Sequence, residues 1–161
     1  VAISPIKNHE RLEWFIEKSV EIGIDEISFI RCSRTIRKNI KLDRINRIAV
    51  TAMKQTLKAK LPKINEVEGF SSFLNRANEG MKFICHLENN ERKNLFSFKD
   101  SIISSLHSCV LIGPEGDFTL DEISLSKKHN FIPISLGNSR LRTETAGIVS
   151  CNLINSSIIF W

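Results

Sequence analysis

Apolar residues recur along the chain with two periods, and the two patterns alternate at nearly every step. Short continuous apolar runs predict strands, while apolar positions three or four residues apart predict helices. The predicted strands are Val1–Ile6, Ile24–Ile30, Ile64–Val67, Met81–Leu87, Ser108–Ile112 and Ile132–Leu136. The predicted helices run from about Asn8 to a stop at Gly23 and over Leu42–Lys58, Phe70–Ala77, Asp100–Leu106, Leu120–His129 and Glu144–Ile159. Apolar strands that alternate with helices indicate an α/β fold with a parallel sheet covered on both faces.

The last predicted helix is apolar on nearly every side, more than is usual for a surface helix of a monomer. Its apolar residues are Ile148, Val149, Cys151, Leu153, Ile154, Ile158, Ile159, Phe160 and Trp161. Contact with a partner subunit explains this pattern, and so does burial within one subunit. The sequence leaves both explanations open.

The composition is that of one globular domain. Of 161 residues, 42% are hydrophobic and 25% are charged, which argues against disorder and against an intact membrane protein. No run of about 18 apolar residues is present to span a bilayer, and the first residues lack the pattern of a signal peptide. We therefore expect a single domain over residues 1–161. Since the chain has no initiator Met, we also expect a piece of a longer protein.

The four cysteines, Cys32, Cys85, Cys109 and Cys151, are far apart, form no CxxC motif and have no neighbouring histidine at metal-ligand spacing. We expect no metal site from this spacing. Cysteines in apolar surroundings are typical of small buried hydrophobic residues in a reducing compartment, which indicates the cytoplasm.

Positive charge is concentrated in one segment. The net charge is 23 − 18 = +5, yet Arg31–Lys63 contains eleven Lys or Arg residues and one acid, Asp43. On a helix, Arg44, Arg47, Lys54 and Lys58 share about one quarter of the circumference and form an outward stripe. Such a stripe fits the phosphates of RNA or DNA. An ordinary solvated helix face is the alternative.

Two unusual loops follow predicted strands, where ligands bind in open α/β sheets. The first is Gly113–Thr119, in which Gly-Pro-Glu-Gly predicts a tight turn with accessible backbone groups. Thr119 and Glu122 have the spacing of a capping box. On its own, a connection from strand to helix explains this loop.

The second loop begins at Gly137 and continues to the last helix. Arg140 and Arg142 stand just before that helix, whose positive end would repel them, so their presence suggests an anionic partner. A salt bridge to Glu115 or Asp117 is the competing explanation. Neither loop matches the usual phosphate cradles of ATP or NAD sites.

Taken together, the two loops resemble the RsmE family. The motifs are Leu111-Ile112-Gly113-Pro114-Glu115-Gly116-x-Phe118-Thr119-x-x-Glu122 and Leu136-Gly137-x-x-x-Leu141-Arg142-x-Glu144-Thr145-Ala146. The first half is also similar, with Lys7, Glu13-Trp14, Glu17-Lys18-x-x-Glu21-Ile22-Gly23-Ile24-Asp25-Glu26-Ile27, Arg34, Arg44, Ala52-x-x-Gln55 and Leu61-Pro62-Lys63-Ile64. The resemblance therefore covers nearly the whole chain.

The resemblance implies a fold and an activity. Members of the family are S-adenosylmethionine-dependent methyltransferases of the SPOUT class that methylate N3 of a uridine in small-subunit (16S) ribosomal RNA. Their parallel sheet carries a C-terminal deep trefoil knot, which is an exception to the rule against threaded chains. They work as homodimers in the cytoplasm. The implied partners are ribosomal RNA or the small ribosomal subunit and a second copy of the chain, with no membrane and no metal.

The resemblance also implies site residues. The cofactor-binding residues would be Leu87, Ile112, Gly113, Pro114, Glu115, Gly116, Leu136, Gly137, Asn138, Leu141, Arg142 and Thr145. The RNA-binding residues would be Arg34, Arg37, Arg44, Arg47, Lys54 and Lys58.

The chain departs from the family pattern in three places. Family members usually carry a second glycine where Asp117 stands and often an acid where Lys54 stands. They also have an N-terminal RNA-binding barrel of the PUA type, which this chain lacks. These differences concern the backbone of the first loop and the contact with RNA.

Methyl transfer to uridine N3 needs a base that removes the N3 proton. It also needs a positive group that stabilises the negative charge developing on the imide. We expect Arg142 to supply the positive charge and Glu115 or Glu144 to accept the proton. An ion pair of Arg142 with either acid is the structural alternative. Two other functions stay open. One is ribose 2′-O-methylation by another SPOUT enzyme, and the other is a non-catalytic module that binds RNA or assists ribosome assembly.

Overall fold

The computed structural model describes residues 1–77, 80–88, 92–105 and 107–159. Its strands are β1 (Ala2–Ile3), β2 (Glu26–Arg31), β3 (Lys63–Gly69), β4 (Met81–Cys85), β5 (Lys93–Asn94), β6 (Ser108–Ile112) and β7 (Ile132–Ser135). Its helices are α1 (His9–Ile22), α2 (Leu42–Gln55), α3 (Phe70–Arg76), α4 (Lys99–Ser104), α5 (Leu120–Lys128) and α6 (Thr143–Ile159). A 3₁₀ turn, Leu95–Phe98, precedes α4.

The strands form one seven-stranded sheet in the order β3-β2-β1-β6-β4-β7-β5, and every neighbouring pair is parallel. The predicted α/β class with a parallel sheet is therefore confirmed. Strand β1 pairs on one side with β2, through Ala2 and Ser28, and on the other with β6, through Ala2 and Leu111. This order brings the carboxyl ends of β1, β6, β4 and β7 together at one edge.

Two apolar cores cover the two faces of the sheet, as alternation of side chains along a strand requires. On one face, Phe83 and Ile112 pack with Phe15 of α1. On the other face, Ile84 and Leu111 pack with Phe118, Ile123 and Phe131 around α5. Successive strand residues thus point into different cores, which fixes the register of the sheet.

Helix α1 has both of the ends that its sequence predicts. The side-chain oxygen of Asn8 accepts a hydrogen bond from the N–H of Arg11 at 3.1 Å, and this caps the first turn. Gly23 ends the helix in the left-handed region at φ 112°.

Helix α2 ends at Gln55, three residues before the predicted end. Leu57 adopts a left-handed conformation at φ 54°. The N–H of Leu57 bonds to the carbonyl of Lys54 and the N–H of Lys58 to that of Met53, which is the Schellman arrangement of a helix end. Residues 56–58 were predicted helical because no glycine marks this stop.

Helix α6 packs its small side chains inward. A Cβ on Gly147 would lie 2.5 Å from the ring of Phe15, so α6 and α1 approach closely here. Ile148, Leu153 and Ile154 are half-buried, and Ile158 is 54% exposed. One face of α6 is therefore buried within the subunit. Phe160, Trp161 and the predicted helical residue Leu106 lie outside the described residues.

Candidate functional site

A cleft of about 400 Å³ opens at the carboxyl ends of β1, β4, β6 and β7. This is where ligands bind in open parallel sheets, and the volume falls within the usual range for small-molecule sites. The loops after β4, β6 and β7 form its walls, with the first turn of α6 and Arg11 of α1. The two loops that the sequence singles out thus face a single space.

Most of the site residues inferred from the sequence line this cleft. They are Leu87, Ile112, Gly113, Pro114, Glu115, Leu136, Gly137, Leu141, Arg142 and Glu144. Gly116, Asn138 and Thr145 belong to the same loops and the start of α6 but do not line the cleft. Gly116 instead faces Arg34, whose Cδ would lie 3.3 Å from a Cβ at that position.

The first loop is a tight turn held close to the sheet. The N–H of Asp117 bonds to the carbonyl of Pro114 at 2.9 Å and closes the turn. Gly113 is buried, and a Cβ there would lie 3.0 Å from the ring of Phe118. A side chain at this position would press on Phe118, so the close packing of the loop favours glycine.

Asp117 is the last residue of this turn, and its backbone conformation is unusual for a residue other than glycine. It adopts φ 62°, in the left-handed region that aspartate tolerates better than most residues. The carboxylate of Asp117 also accepts hydrogen bonds from two backbone N–H groups, those of Leu87 and Phe118.

The capping box at the start of α5 is present as predicted. Thr119 accepts a bond from the N–H of Glu122, and the Glu122 carboxylate accepts one from the N–H of Thr119. Glu122 is 7% exposed and also accepts bonds from the N–H and hydroxyl of Ser33. A local helix cap thereby also ties the first loop to the segment after β2.

The second loop forms fewer side-chain interactions with the rest of the described structure than the first loop. Gly137 adopts φ 123°, which favours glycine. Arg140 and Arg142 are exposed at the mouth of the cleft. In the described part of the chain, neither arginine forms an ion pair or a side-chain hydrogen bond.

The three acids of the cleft, Glu115, Asp117 and Glu144, have partners other than Arg142. Glu144 is 5% exposed and lies 3.6 Å from Arg11, measured from carboxylate oxygen to Nε. Glu115 is exposed and accepts a hydrogen bond from the N–H of Lys7 at 2.9 Å. The salt bridges that would have explained Arg142 structurally are thus absent among the described residues.

Sequence reasoning did not assign Arg11, Arg92 or Asp117 to the site, although all three line the cleft. Arg11 lies on an amphipathic helix and has no sequence signal of its own. Its place in the site depends on the strand order. Because β1 lies beside β6, the start of α1 lies at the same edge of the sheet as the loop after β6. Arg92 donates a hydrogen bond to the backbone carbonyl of His86.

His86 lies directly after β4 and lines the cleft. It is 1% exposed, and neither ring nitrogen has a hydrogen-bond partner in the described structure. Burial and the nearby charge of Arg92 lower the pKa of its imidazole. His86 is therefore neutral near pH 7.

The basic segment divides into bound and unbound residues. Arg34 donates to the carbonyls of Gly116 and Phe118, Arg37 donates to the carbonyl of Lys7, and Arg44 pairs with Glu13. Arg47, Lys54 and Lys58 are exposed, and no ion pair or side-chain hydrogen bond is found for them within the described ranges.

The stripe on α2 also leads away from the cleft. Helix α2 follows β2 and precedes the parallel strand β3, so it runs from the cleft edge of the sheet to the opposite edge. Its 14 residues span about 20 Å. Arg34 and Arg44 are thus near the cleft, whereas Lys58 lies beside Gly23 at the far edge.

The described residues contain neither a metal-site cluster nor a membrane-spanning helix. No cluster of three or more histidine, cysteine, aspartate or glutamate side chains has the arrangement of a metal site there. No helix in the described ranges combines the length and apolar character needed to cross a bilayer.

Comparison with known proteins agrees with the two motifs. Residues 1–155 match the family described as "RNA methyltransferase domain", so the chain belongs to that family. The "Ribosomal RNA small subunit methyltransferase E" of Bacillus subtilis is 26% identical over 94% of this chain and 63% of its own length. The resemblance to the RsmE family is thereby confirmed, and the chain spans about 60% of the length of the curated relatives it matches.

Solved structures agree on the fold. A probable rRNA-methyltransferase from Porphyromonas gingivalis is 39% identical, with a TM-score of 0.86 over 99% of this chain and 67% of that one. A ribosomal RNA small subunit methyltransferase E from Neisseria gonorrhoeae, bound to S-adenosyl methionine, is 26% identical with a TM-score of 0.85. This chain is covered to 98% and that one to 65%.

Proposed function

We propose that this chain is the catalytic domain of an enzyme that transfers a methyl group from S-adenosylmethionine to N3 of a uridine in small-subunit ribosomal RNA. The observation that carries the proposal is the cleft in which both family motifs meet. The relatives' names support methylation of small-subunit ribosomal RNA, and the donor-bound solved structure supports S-adenosylmethionine as the donor. Uridine N3 as the target comes from the family resemblance.

The residues of the cleft fit this methyl donor. Gly113 lines the cleft without a side chain, so its backbone is open to close approach, and a Cβ there would press on the ring of Phe118. Leu87, Ile112, Leu136 and Leu141 offer apolar contact for an adenine, while accessible backbone groups offer hydrogen bonds for its edge. When bound, the donor supplies a methyl group on a positively charged sulfur.

Arg142 is suited to the acceptor. It is exposed at the mouth of the cleft and carries no partner charge among the described residues, so its guanidinium is available for the uracil imide or a phosphate. Positive charge at this point would stabilise the negative charge that develops when the N3 proton leaves. Arg142 is therefore the catalytic residue that we propose with most support.

Glu144 and Glu115 are the candidate proton acceptors and occupy different environments. Glu144 is buried and held beside Arg11, which fixes its carboxylate in the cleft. Glu115 is exposed and bonded through one oxygen to the N–H of Lys7. A base needs a fixed position within reach of the proton, and this favours Glu144.

We propose two regions for contact with RNA. Near the cleft, Arg34, Arg37 and Arg44 present positive charge while also bonding to the protein. Along α2, Arg47 and Lys54 are exposed for phosphates, as is Lys58 beyond the end of the helix, and Arg44 and Arg47 line a groove of about 380 Å³. Removing Arg47 or Lys58 should lower the salt dependence of RNA binding by about one phosphate each. An unchanged salt slope would contradict this assignment.

The remaining features of the family are part of the proposal. The strand order β1-β6-β4-β7 supports a C-terminal trefoil knot. The half-buried apolar residues Ile148, Leu153 and Ile154 of α6 support a homodimer. The chain forms one methyltransferase domain over residues 1–161, and the relatives' greater length supports a further RNA-binding domain in the whole protein. The place of action is the cytoplasm, where ribosomal RNA is modified.

The test is transfer of a labelled methyl group from S-adenosylmethionine to small ribosomal subunits and to their free RNA. Label on uridine N3 is the expected result, and nuclease digestion followed by mass spectrometry identifies the atom. Label on a ribose 2′-oxygen would instead support the other SPOUT chemistry. Binding of RNA without any transfer, by a chain that also fails to bind the donor, would support a non-catalytic module.

A further inference from the structure

The carboxylate of Asp117 joins two walls of the cleft. One oxygen, Oδ2, accepts a hydrogen bond from the N–H of Leu87 at 2.8 Å, in the loop after β4. The other, Oδ1, accepts one from the N–H of Phe118 at 2.8 Å, in the loop after β6. Hydrogen bonds to an ionised acceptor are stronger than those between neutral groups. A single side chain therefore connects the two loops.

This connection lies where the sheet no longer holds the two loops together. Strands β4 and β6 are neighbours, and their last paired residues are Cys85 and Ile112. Beyond this pair, the strand ladder does not continue. Leu87 and Asp117 both line the cleft, so their separation helps to set its width.

The position of Asp117 in the turn makes this bridge possible. Its backbone is left-handed at φ 62°, where glycine is the usual residue and aspartate is one of the few alternatives. Glycine would give the same turn without a carboxylate. The aspartate therefore adds two hydrogen bonds of its carboxylate, which the turn itself does not require.

We propose that Asp117 is a positioning residue that holds Leu87 against the first loop, so that both backbone walls of the cofactor cleft are formed before the cofactor binds. The inference rests on the proposed function, because it takes the methyl donor to be the ligand of this cleft. Preorganised walls raise affinity because less ordering is needed on binding.

Two substitutions separate the bridge from the turn. Asp117→Gly keeps the left-handed backbone and removes both hydrogen bonds. Asp117→Asn also tolerates this backbone, but its one carbonyl oxygen cannot replace both carboxylate oxygens. We expect Asp117→Gly to weaken S-adenosylmethionine binding about tenfold, with Asp117→Asn between it and the wild type.

Asn130→Gly is the matched control. Asn130 is also left-handed, at φ 63°, but it precedes β7 at the opposite edge of the sheet, away from the cleft. The change introduces the same glycine flexibility without touching either loop. We expect donor affinity to be unchanged in this variant.

The measurements are calorimetric titration with S-adenosylmethionine and amide hydrogen exchange of the unbound chain, at a temperature where each variant is folded. The bridge predicts faster exchange at Leu87 in Asp117→Gly and unaltered exchange there in Asn130→Gly. A merely structural role of Asp117 would lower thermal stability without this local change or the order of affinities.

Equal donor affinity of the wild type and Asp117→Gly would overturn this inference and leave the proposed function intact. Unchanged exchange at Leu87 would overturn it as well. If the folded wild-type chain bound no S-adenosylmethionine, the proposed function would fail, and this inference with it.

Discussion

The two loops that form the cleft are held in opposite ways. The first loop is fixed by the turn from Pro114 to Asp117, by the Asp117 carboxylate, and by Arg34, which donates to the carbonyl of Gly116. In the second loop, the side chains of Asn138, Ser139, Arg140 and Arg142 are exposed, and the described structure gives them no hydrogen bond or ion pair. The first loop is therefore a preformed wall of the cleft, whereas the second loop has exposed side chains that can contact ligands.

This difference suggests a division of labour. A rigid wall of glycine and backbone groups suits recognition of a cofactor, which every reaction cycle uses in the same form. Unpaired arginines suit a large anionic substrate, because their charges are not neutralised within the protein. Four predictions test this contrast, beginning with the largest expected effect.

Arg142→Ala should remove charge from the second loop without disturbing the fold, because the exposed Arg142 side chain forms no hydrogen bond or ion pair in the described structure. We expect kcat for methyl transfer to fall at least about a hundredfold, as when other groups that stabilise a developing anion are removed. The unfolding temperature should stay the same. Arg140→Ala, on the same loop, is the matched control and should affect RNA binding more than kcat.

Cofactor binding should order the second loop more than the first. We expect amide exchange in residues 137–142 to slow about tenfold or more when S-adenosylmethionine is added, because contacts with the ligand would replace contacts now missing. Exchange at residues 114–118 should change little. Equal protection of both loops would contradict the contrast between them.

Arg34→Ala should destabilise the first loop and with it the domain. Arg34 donates to the carbonyl of Gly116 at 2.7 Å, and its loss should lower the free energy of unfolding by about 1 kcal/mol. Denaturant unfolding measures this change. Arg47→Ala serves as the control, since Arg47 is exposed and has no such bond within the described ranges.

His86, in the loop after β4, makes the stability of the fold depend on pH. Burial and Arg92 lower the pKa of its imidazole, while Asp117 acts in the opposite direction and Lys127 adds to the lowering. The unfolded chain therefore binds a proton near pH 6.5 that the folded chain binds only at lower pH, so stability falls as the pH drops through this window.

His86→Phe should remove this part of the pH dependence. Unfolding curves between pH 5 and pH 7, a window of about two units around the ordinary histidine pKa, should show a smaller loss of stability in the variant. At pH 7 the variant should be as stable as the wild type or more so, since it removes two buried nitrogens without partners. An identical slope in both chains would show that His86 does not titrate as described.

The sequence predicted the regular elements well because buried strands and amphipathic helices leave clear periods. It missed β5, since Lys93 and Asn94 are polar and form too short a run to show a period. It placed the end of α2 three residues late, because Leu57 ends the helix in a conformation that usually requires glycine.

The candidate site was predictable where it depends on loops adjacent to strands. Gly113 and Gly137 were identified because tight turns at strand ends need glycine. The partner of Glu144 was not, since Arg11 lies more than 130 residues away in sequence and meets it only through the strand order. Asp117 was noticed as a departure from the family, but its bonds to backbone N–H groups need coordinates to be seen.

Calorimetric titration of the purified chain with S-adenosylmethionine, repeated on Gly113→Val, tests the central claim most directly. We predict binding of about one cofactor per chain, lost in the variant because a side chain at Gly113, with its Cβ 3.0 Å from the ring of Phe118, shifts the loop that lines the cleft. The claim would be contradicted by a folded wild-type chain that binds no cofactor, or by a folded Gly113→Val chain that binds it equally well.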